Sequence, residues 1–245
     1  MKAIILAAGR GSRMGNLTED IPKCLVKLKE KPLIEWQIEA LKKAGIVEIG
    51  IVTGYKRELL SGYGLKEFHN TRWASTQMVS SLVCASEWLN TASCIVSYSD
   101  IFYRPQAVSL LMESNAEIAI TYDPNWQTLW ENRFSDPLED AETFRLNKES
   151  AVTEIGSKPK NLEEVEGQYM GLLYFTPNSW RELLDIRSKM TQNNADRMHM
   201  TSALQKIIDN ENFILKGIPH TEEWGEVDNS SDLAFYNSKD NLPLN

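Results

Sequence analysis

Residues 3 to 8, Ala-Ile-Ile-Leu-Ala-Ala, form an unbroken apolar run that stops at Gly9 and continues as Arg-Gly-Ser-Arg-Met-Gly to residue 15. A strand that is apolar on both faces needs cover on both, the situation of a central strand in a parallel sheet flanked by helices. The loop leaving such a strand lies where open α/β sheets bind ligands. Glycines at 9, 11 and 15 let backbone N–H groups turn toward an anion without a Cβ in the way, while Arg10 and Arg13 add charge and planar donor forks. A plain glycine turn explains the glycines but not two arginines among them, so the stretch reads as a phosphate grip. Two common phosphate loops do not fit. No window supplies G-x-x-x-x-G-K-[ST], and Met14 stands where G-x-G-x-x-G needs its third glycine.

The composition narrows the field of partners. With 245 residues, 42% of them hydrophobic, the chain can build one large α/β domain with its own core. A formal net charge of -8 argues against a broad nucleic-acid footprint, which needs clustered Lys and Arg. Cys24, Cys84 and Cys94 are too few and too scattered for a disulfide framework, and their spacing with histidine matches no zinc site. They read as reduced thiols. The N-terminus lacks the pattern of a signal peptide, and no apolar stretch approaches the ~18 residues of a spanning helix. The expectation is a soluble cytoplasmic protein with no membrane or nucleic-acid partner.

Along the chain, Cys24 to Leu28 reads as extended, and Pro32 opens a helix with Leu33, Ile34, Ile38 and Leu41 on one face and a stop at Gly45. Glu48 to Thr53 is a second strand, ending at Gly54-Tyr55. Phe68 to Ala74 is weakly extended. A helix follows from Thr76, its expected cap, with Val79, Leu82, Val83 and Leu89 inward. Ser93 to Tyr98 is the third clear strand and delivers Ser99-Asp100 at its carboxyl end. Pro105 to Glu113 reads as a helix and Ala116 to Tyr122 as a buried strand. From Asp123 to Asp140, Trp126, Trp130, Arg133 and Phe134 lie among Asn, Asp and Pro, the composition of a covering loop. Further strands are expected at 143–146, 151–155, 167–175 and 213–216, and helices at 180–190, 200–208 and 231–236, before a mobile tail after Lys239. Alternating strands and helices in the first half predict a doubly wound, mixed but mainly parallel sheet of Rossmann-like type.

The glycine loop followed by Pro22-Lys23 resembles the nucleotidyltransferases that join a nucleoside triphosphate to a phosphorylated small molecule and release pyrophosphate. The resemblance spans nearly the whole chain, from the first loop to Trp224-Gly225-Glu226-Val227-Asp228-Asn229-Ser230-Ser231-Asp232-Leu233, which is similar to a W-x-E-[IV]-D-x-x-x-D-L element late in that family. It implies that Arg13 and Lys23 hold the phosphates, and that Asp100 and Asp228 bind Mg2+. Such a reaction brings two polyanions together, so metal, Lys and Arg must offset their charge. Magnesium is usually held by one or two carboxylates plus phosphates and water. Glu226 shares the strand face of Asp228 by its i, i+2 spacing. Asp228 also reads as a cap for the last helix, an alternative the sequence leaves open.

The same resemblance implies a nucleotide site drawn from Leu6, Ala8, Gly9, Arg10, Gly11, Ser12, Arg13, Lys23, Tyr55, Thr76, Gln77 and Ser99. An amide such as that of Gln77 can donate to and accept from one base edge, but an exposed first helical turn explains it equally. For the acceptor the candidates are Trp130, Lys158, Tyr169, Gly171 and Glu226. Glu154-Ile155-Gly156-Ser157-Lys158-Pro159 departs from the family's E-K-P element by having Ser157 before the lysine; a solvated lysine is the competing reading of Lys158. Trp126, Trp130, Tyr169 and Trp224 could form a box for an ammonium group, although the core is the better reading for any one of them. His69, His199 and His220 share no ligand spacing.

The chain is short beside members that append a β-helix or a long extra lobe. Thr76-Gln77-Met78 and the segments Trp-Glu-Asn-Arg-Phe and Glu-Thr-Phe-Arg look closer to cytidylyltransferases of the phosphocholine and aminoalkylphosphonate kind. The resemblance therefore implies CMP transfer from CTP to a small phosphorylated amine or amino acid by direct in-line displacement, the acceptor being already ionised. A single domain over 1–240 is expected, with about 1–120 serving the nucleotide, about 121–240 the acceptor, and a tail at 241–245. The alternatives are a sugar-1-phosphate nucleotidylyltransferase and a non-catalytic nucleotide sensor on the same fold. The oligomeric state stays open, a homo-oligomer among the options.

Overall fold

The computed structural model describes residues 1–239, so the tail expected at the C-terminus lies outside the described residues. The opening apolar run becomes β1 (Lys2–Ala7), with every side chain from Ala3 to Ala7 buried, and takes an interior place in a seven-stranded sheet. Ile4 and Ile5 point to opposite apolar layers, as the two-residue period of a strand requires. A small hairpin of β2 (Lys27–Leu28) and β3 (Lys31–Pro32) leads into α1 (Leu33–Lys43), which starts directly after Pro32 and stops before Gly45 at φ +90. The sheet grows outward through β4 (Glu48–Thr53) and β5 (Lys66–His69).

The chain then crosses by α2 (Met78–Val83) and α3 (Ser86–Leu89) to β6 (Cys94–Tyr98) on the other side of β1. Periodicity predicts one helix here. It breaks because Cys84 and Ala85 donate to Ser81 and Leu82, three residues back, while the Ser86 hydroxyl donates to the Val83 carbonyl at 2.7 Å. After β7 (Ile101–Tyr103), α4 (Pro105–Met112) and β8 (Ile118–Asp123) comes α5 (Trp126–Arg133), where composition predicts a loop. Its buried face is two indoles and a guanidinium, a face that apolar periodicity does not register.

The second half contains the hairpin β9 (Phe144–Leu146) and β10 (Val152–Ile155), then β11 (Gln168–Phe175), α6 (Pro177–Ser188), α7 (Gln192–Asp196), α8 (Met200–Asn210), β12 (Leu215–Pro219), β13 (Trp224–Glu226) and α9 (Ser230–Ser238). The central order is β12-β8-β11-β6-β1-β4-β5, parallel except where β11 pairs with β6 and β8. The sheet is thus mixed and mainly parallel, with helices on both faces. From β1 the chain runs outward through β4 to β5 and then crosses back to β6 on the other side of β1, so the crevice for a ligand opens at the carboxyl ends of β1 and β6.

Three local expectations give way to short-range hydrogen bonding. Lys23 to Leu25 is a single tight helical turn rather than extended chain, closed by Leu25 N–H to Pro22 and Val26 N–H to Lys23. The segment from Phe68 leaves the sheet at His69, because the Asn70 carboxamide accepts from Arg72 N–H at 2.9 Å and forms a turn. Thr76 does not cap α2; its hydroxyl accepts from Asn70 at 3.0 Å and donates to Arg72 at 2.9 Å, leaving Gln77 at the cap position. The three cysteines are free thiols, and no helix among the described residues is long and apolar enough to cross a membrane.

Candidate active site

The site begins with the fit of the glycine loop onto Lys23. Gly11 has φ +73, and a Cβ there would stand 2.8 Å from both Cβ and Cδ of Lys23. Only glycine lets the loop lie against that stem, and the helical turn at Lys23 directs the side chain inward. Lys23 is 6% exposed. Its Nζ donates to Asp100 Oδ2 at 2.7 Å and to Asp228 Oδ1 at 2.5 Å. Burial alone would disfavour the ammonium, but Asp100, Asp228 and Glu226 outweigh it, so the lysine stays charged with its pKa raised.

Two acids far apart in sequence meet through a short strand pair. Asp100 immediately precedes β7, which pairs antiparallel with β13 so that Ile101 lies opposite Glu226. Val227 N–H donates to the Asp100 carbonyl at 2.9 Å and locks the crossing. The cap of α9 is Asn229, whose side chain accepts from Asp232 N–H, so the cap reading of Asp228 is overturned and its carboxylate is available to the site. Asp228 Oδ2 also meets Arg13 Nη1 at 2.6 Å. Arg133, with no exposed side-chain surface, holds this corner from behind by a two-pronged contact to Asp232 at 2.9 and 3.1 Å. Asp232 in turn accepts the N–H groups of Asp228 and Asn229.

Oxygens of Asp100, Glu226 and Asp228 all lie within 4.8 Å of one another. Asp100 Oδ1 is buried without a hydrogen-bond partner, and burial together with the two aspartates pushes the Glu226 carboxyl well above the usual range. A set of hard oxygen donors with an unsatisfied lone pair fits a divalent cation, which these three residues can hold.

Two cavities adjoin this cluster. One, of about 310 Å³, is walled by Leu6, Ala8, Gly9, Gly11, Ser12, Arg13, Lys23, Thr76, Gln77, Ser99 and Asp100, together with Trp73, Met78, Ser81 and Tyr98. Arg10 is exposed and outside its wall. Tyr55 also lies outside: its hydroxyl donates to the Glu19 carbonyl and its ring meets Trp73 edge-on at 5.3 Å. The other cavity, of about 410 Å³, contains Trp130, Tyr169, Gly171, Glu226 and Asp228, and adds Asp140, Glu142, Gln168 and the start of α8. Arg13, Met78 and Tyr98 belong to both walls. Gly171, at φ +79, lets β11 bulge over Tyr98, whose ring a Cβ would approach to 2.9 Å.

Lys158 is not in either wall; its Nζ donates to the Leu138 and Glu139 carbonyls. Trp126 and Trp224 are core residues, their indole N–H groups donating to Val165 O at 3.1 Å and Asp123 Oδ2 at 2.9 Å. Trp130 packs between them, edge-on to Trp126 at 6.0 Å and tilted against Trp224 at 6.2 Å between ring centroids. Of the four rings, Trp130 and Tyr169 reach the cavity. Sequence reasoning misses Tyr98, Met78, Asp140, Glu142 and residues 199–202. Tyr98 alone carried a usable signal, as the last residue of a strand aimed at the crevice.

Comparison with known proteins agrees with this architecture. Over 95% of this chain and 98% of its own length, the CTP:phosphoglutamine cytidylyltransferase of Campylobacter jejuni is 39% identical. The choline-phosphate cytidylyltransferase of Streptococcus pneumoniae is 42% identical over 42% of this chain and 46% of its own. The solved inositol-1-phosphate CTP transferase of T. maritima superposes with a TM-score of 0.75, covering 96% of this chain and 93% of that one at 19% identity, a likeness of fold. Residues 3–171 match the MobA-like NTP transferase domain, and the chain belongs to that family.

Proposed function

We propose that the protein transfers CMP from CTP to a small phosphorylated acceptor that carries nitrogen, releasing pyrophosphate. One observation carries the reading: the two cavities share Arg13, Met78 and Tyr98 and adjoin at Lys23, Asp100 and Asp228. A nucleotide in the first and an acceptor phosphate in the second would meet there. The first cavity is built mainly from residues before about 120 and the second mainly from later ones, which supports a nucleotide half and an acceptor half within one domain over 1–240.

An acceptor phosphate oxygen attacks the α-phosphorus, the bond to the β-phosphate oxygen breaks, and pyrophosphate leaves with the electron pair. No general base is required, because the attacking oxygen is already ionised. The amides of Gly9, Gly11 and Ser12, residues of the first cavity's wall, would hold the triphosphate, with Arg13 and Lys23 balancing its charge. Asp100 and Asp228, joined by Glu226, would hold Mg2+, which when bound supplies charge neutralisation and alignment of the phosphates. The relatives with nitrogen-bearing acceptors and CTP support the choice of base and acceptor. Soluble chemistry on such metabolites suits the cytoplasm.

The test is pyrophosphate release from each of the four nucleoside triphosphates with panels of phosphorylated amines, phosphorylated amino acids and sugar 1-phosphates. CTP with a nitrogen-bearing acceptor should exceed every other pair. Preference for a sugar 1-phosphate would replace the proposal with the ordinary sugar enzyme. CTP binding without turnover of any acceptor would favour a sensor.

A further inference from the structure

The short segment from Arg72 to Gln77 brings Trp73, Thr76 and Gln77 into the wall of the first cavity. Gln77 is exposed there, and among the described residues its carboxamide makes no hydrogen bond. Its aim therefore depends on how firmly the backbone beneath it is held. The helix that follows gives that backbone no support, because Gln77 is the cap residue of α2 and its N–H is one of the donors that a helix start leaves without a partner.

The acceptor for that N–H comes from far away in sequence. Gln77 N–H donates to the Asp196 carbonyl at 2.7 Å, and Asp196 is the last residue of α7, where a helix leaves its carbonyls unpaired. The same residue holds the other end of the segment. Its carboxylate accepts from the Arg72 guanidinium, and the Arg72 carbonyl accepts from the Thr76 hydroxyl at 2.9 Å. Residues 72–77 are thus closed into a ring whose two ends both rest on Asp196. Asp196 is buried and is itself fixed: its other oxygen accepts from Gln192 at 2.9 Å and lies 3.7 Å from Arg187 Nη2, which donates to the Ser80 hydroxyl of α2 at 2.7 Å. Charge-assisted bonds on both oxygens hold the carboxylate in one geometry.

We propose that Asp196 is a positioning residue for the base of the nucleotide: from the later half of the chain, it sets where Gln77 stands in the nucleotide cavity. This rests on the proposed reading that the first cavity receives CTP with its base at Gln77. A carboxamide can turn over and meet a cytosine or a uracil edge, so Asp196 governs the strength of base binding and not the choice between pyrimidines. Neither Asp196 nor Arg72 lines the cavity, so neither touches the nucleotide itself.

The experiment is calorimetric titration, with Mg2+ present, of CTP and of inorganic tripolyphosphate, which engages the phosphate grip without a base. Asp196→Asn sets an NH2 group against a donor whichever way it turns, and Arg72→Met removes the guanidinium from the exposed side of the same link. Each should weaken CTP binding about tenfold and leave the tripolyphosphate Kd unchanged. Arg72→Met decides where Asp196→Asn does not fold. Gln77→Ala should weaken CTP by a similar factor, and in that background Arg72→Met should cost nothing further. Unchanged CTP affinity in Arg72→Met, an equal loss for CTP and tripolyphosphate, or a loss that persists in full in the Gln77→Ala background overturns the inference while the CTP reading stands. A parent protein that binds CTP no more tightly than ATP, GTP, UTP or tripolyphosphate overturns that reading and the inference with it.

Discussion

Replacing Gly11 by alanine should damage catalysis through Lys23 rather than through the loop itself. At φ +73 a β-carbon costs roughly 1 kcal/mol in backbone strain. The added methyl would lie 2.8 Å from Lys23 Cβ and Cδ. Carbon atoms rest at about 3.5–4.0 Å, so the stem must retreat by roughly 1 Å. That displacement reaches an ammonium now held at 2.7 and 2.5 Å from two carboxylates. If Lys23 holds the phosphates as proposed, a shift of this size costs about 100-fold in kcat/KM, or about 2.7 kcal/mol. The melting temperature should fall by roughly 5 °C. Gly9→Ala is the control, because Gly9 has no positive φ and nothing within 4 Å of its added Cβ. Its stability should stay within about 0.5 kcal/mol of the parent. The methyl would instead occupy cleft space and raise the KM for CTP about tenfold. Steady-state kinetics and thermal melts on both variants decide. A fully active Gly11→Ala, or a Gly9→Ala that loses stability with an unchanged KM, would show that the loop does not position Lys23.

Three further outcomes follow from the geometry. Asp100→Asn removes one oxygen donor but leaves Lys23 its contact with Asp228; turnover should drop about 10²–10³-fold and Mn2+ binding, followed by electron paramagnetic resonance with CTP present, should weaken. Arg133→Met leaves the buried Asp232 uncompensated and should destabilise the protein by about 3–5 kcal/mol in denaturant titration. Burial pushes His220 down to about 4, so the unfolded chain takes up the proton first; stability should be complete above about pH 6.5 and fall by about 3 kcal/mol as pH drops toward 4, a slope that His220→Gln should remove.

The parts of the fold that were legible in the sequence are those governed by apolar periodicity and by proline or glycine boundaries. β1, α1 and β4 come directly from such patterns, and the doubly wound sheet follows from their alternation. α5 was not legible, because its inward face contains Arg133, whose burial depends on Asp232 from a distant helix. Nor was the β7–β13 pairing, three residues on each side, although it brings Asp100 to Asp228. The glycine loop and Asp100 could be named because polar groups at a strand's carboxyl end have a chemical purpose whatever the packing, whereas Lys23 and Asp228 took their roles from the family resemblance. Lys158 and Arg10 could not be placed, since a long cation on a loop goes wherever nearby carbonyls or solvent take it. Asp140, Glu142 and the start of α8 gain their meaning only by sharing a cavity.

In the proposed function, nucleotide and acceptor meet at the junction of two cavities, beside Lys23 and the three acids. A crystal structure with the CDP-linked product and a divalent cation tests it most directly. Cytosine should lie near Gln77, the diphosphate should cross between Arg13 and Lys23, and the cation should sit on Asp100 and Asp228. A product lying within one cavity, or a cation bound away from those aspartates, would contradict it.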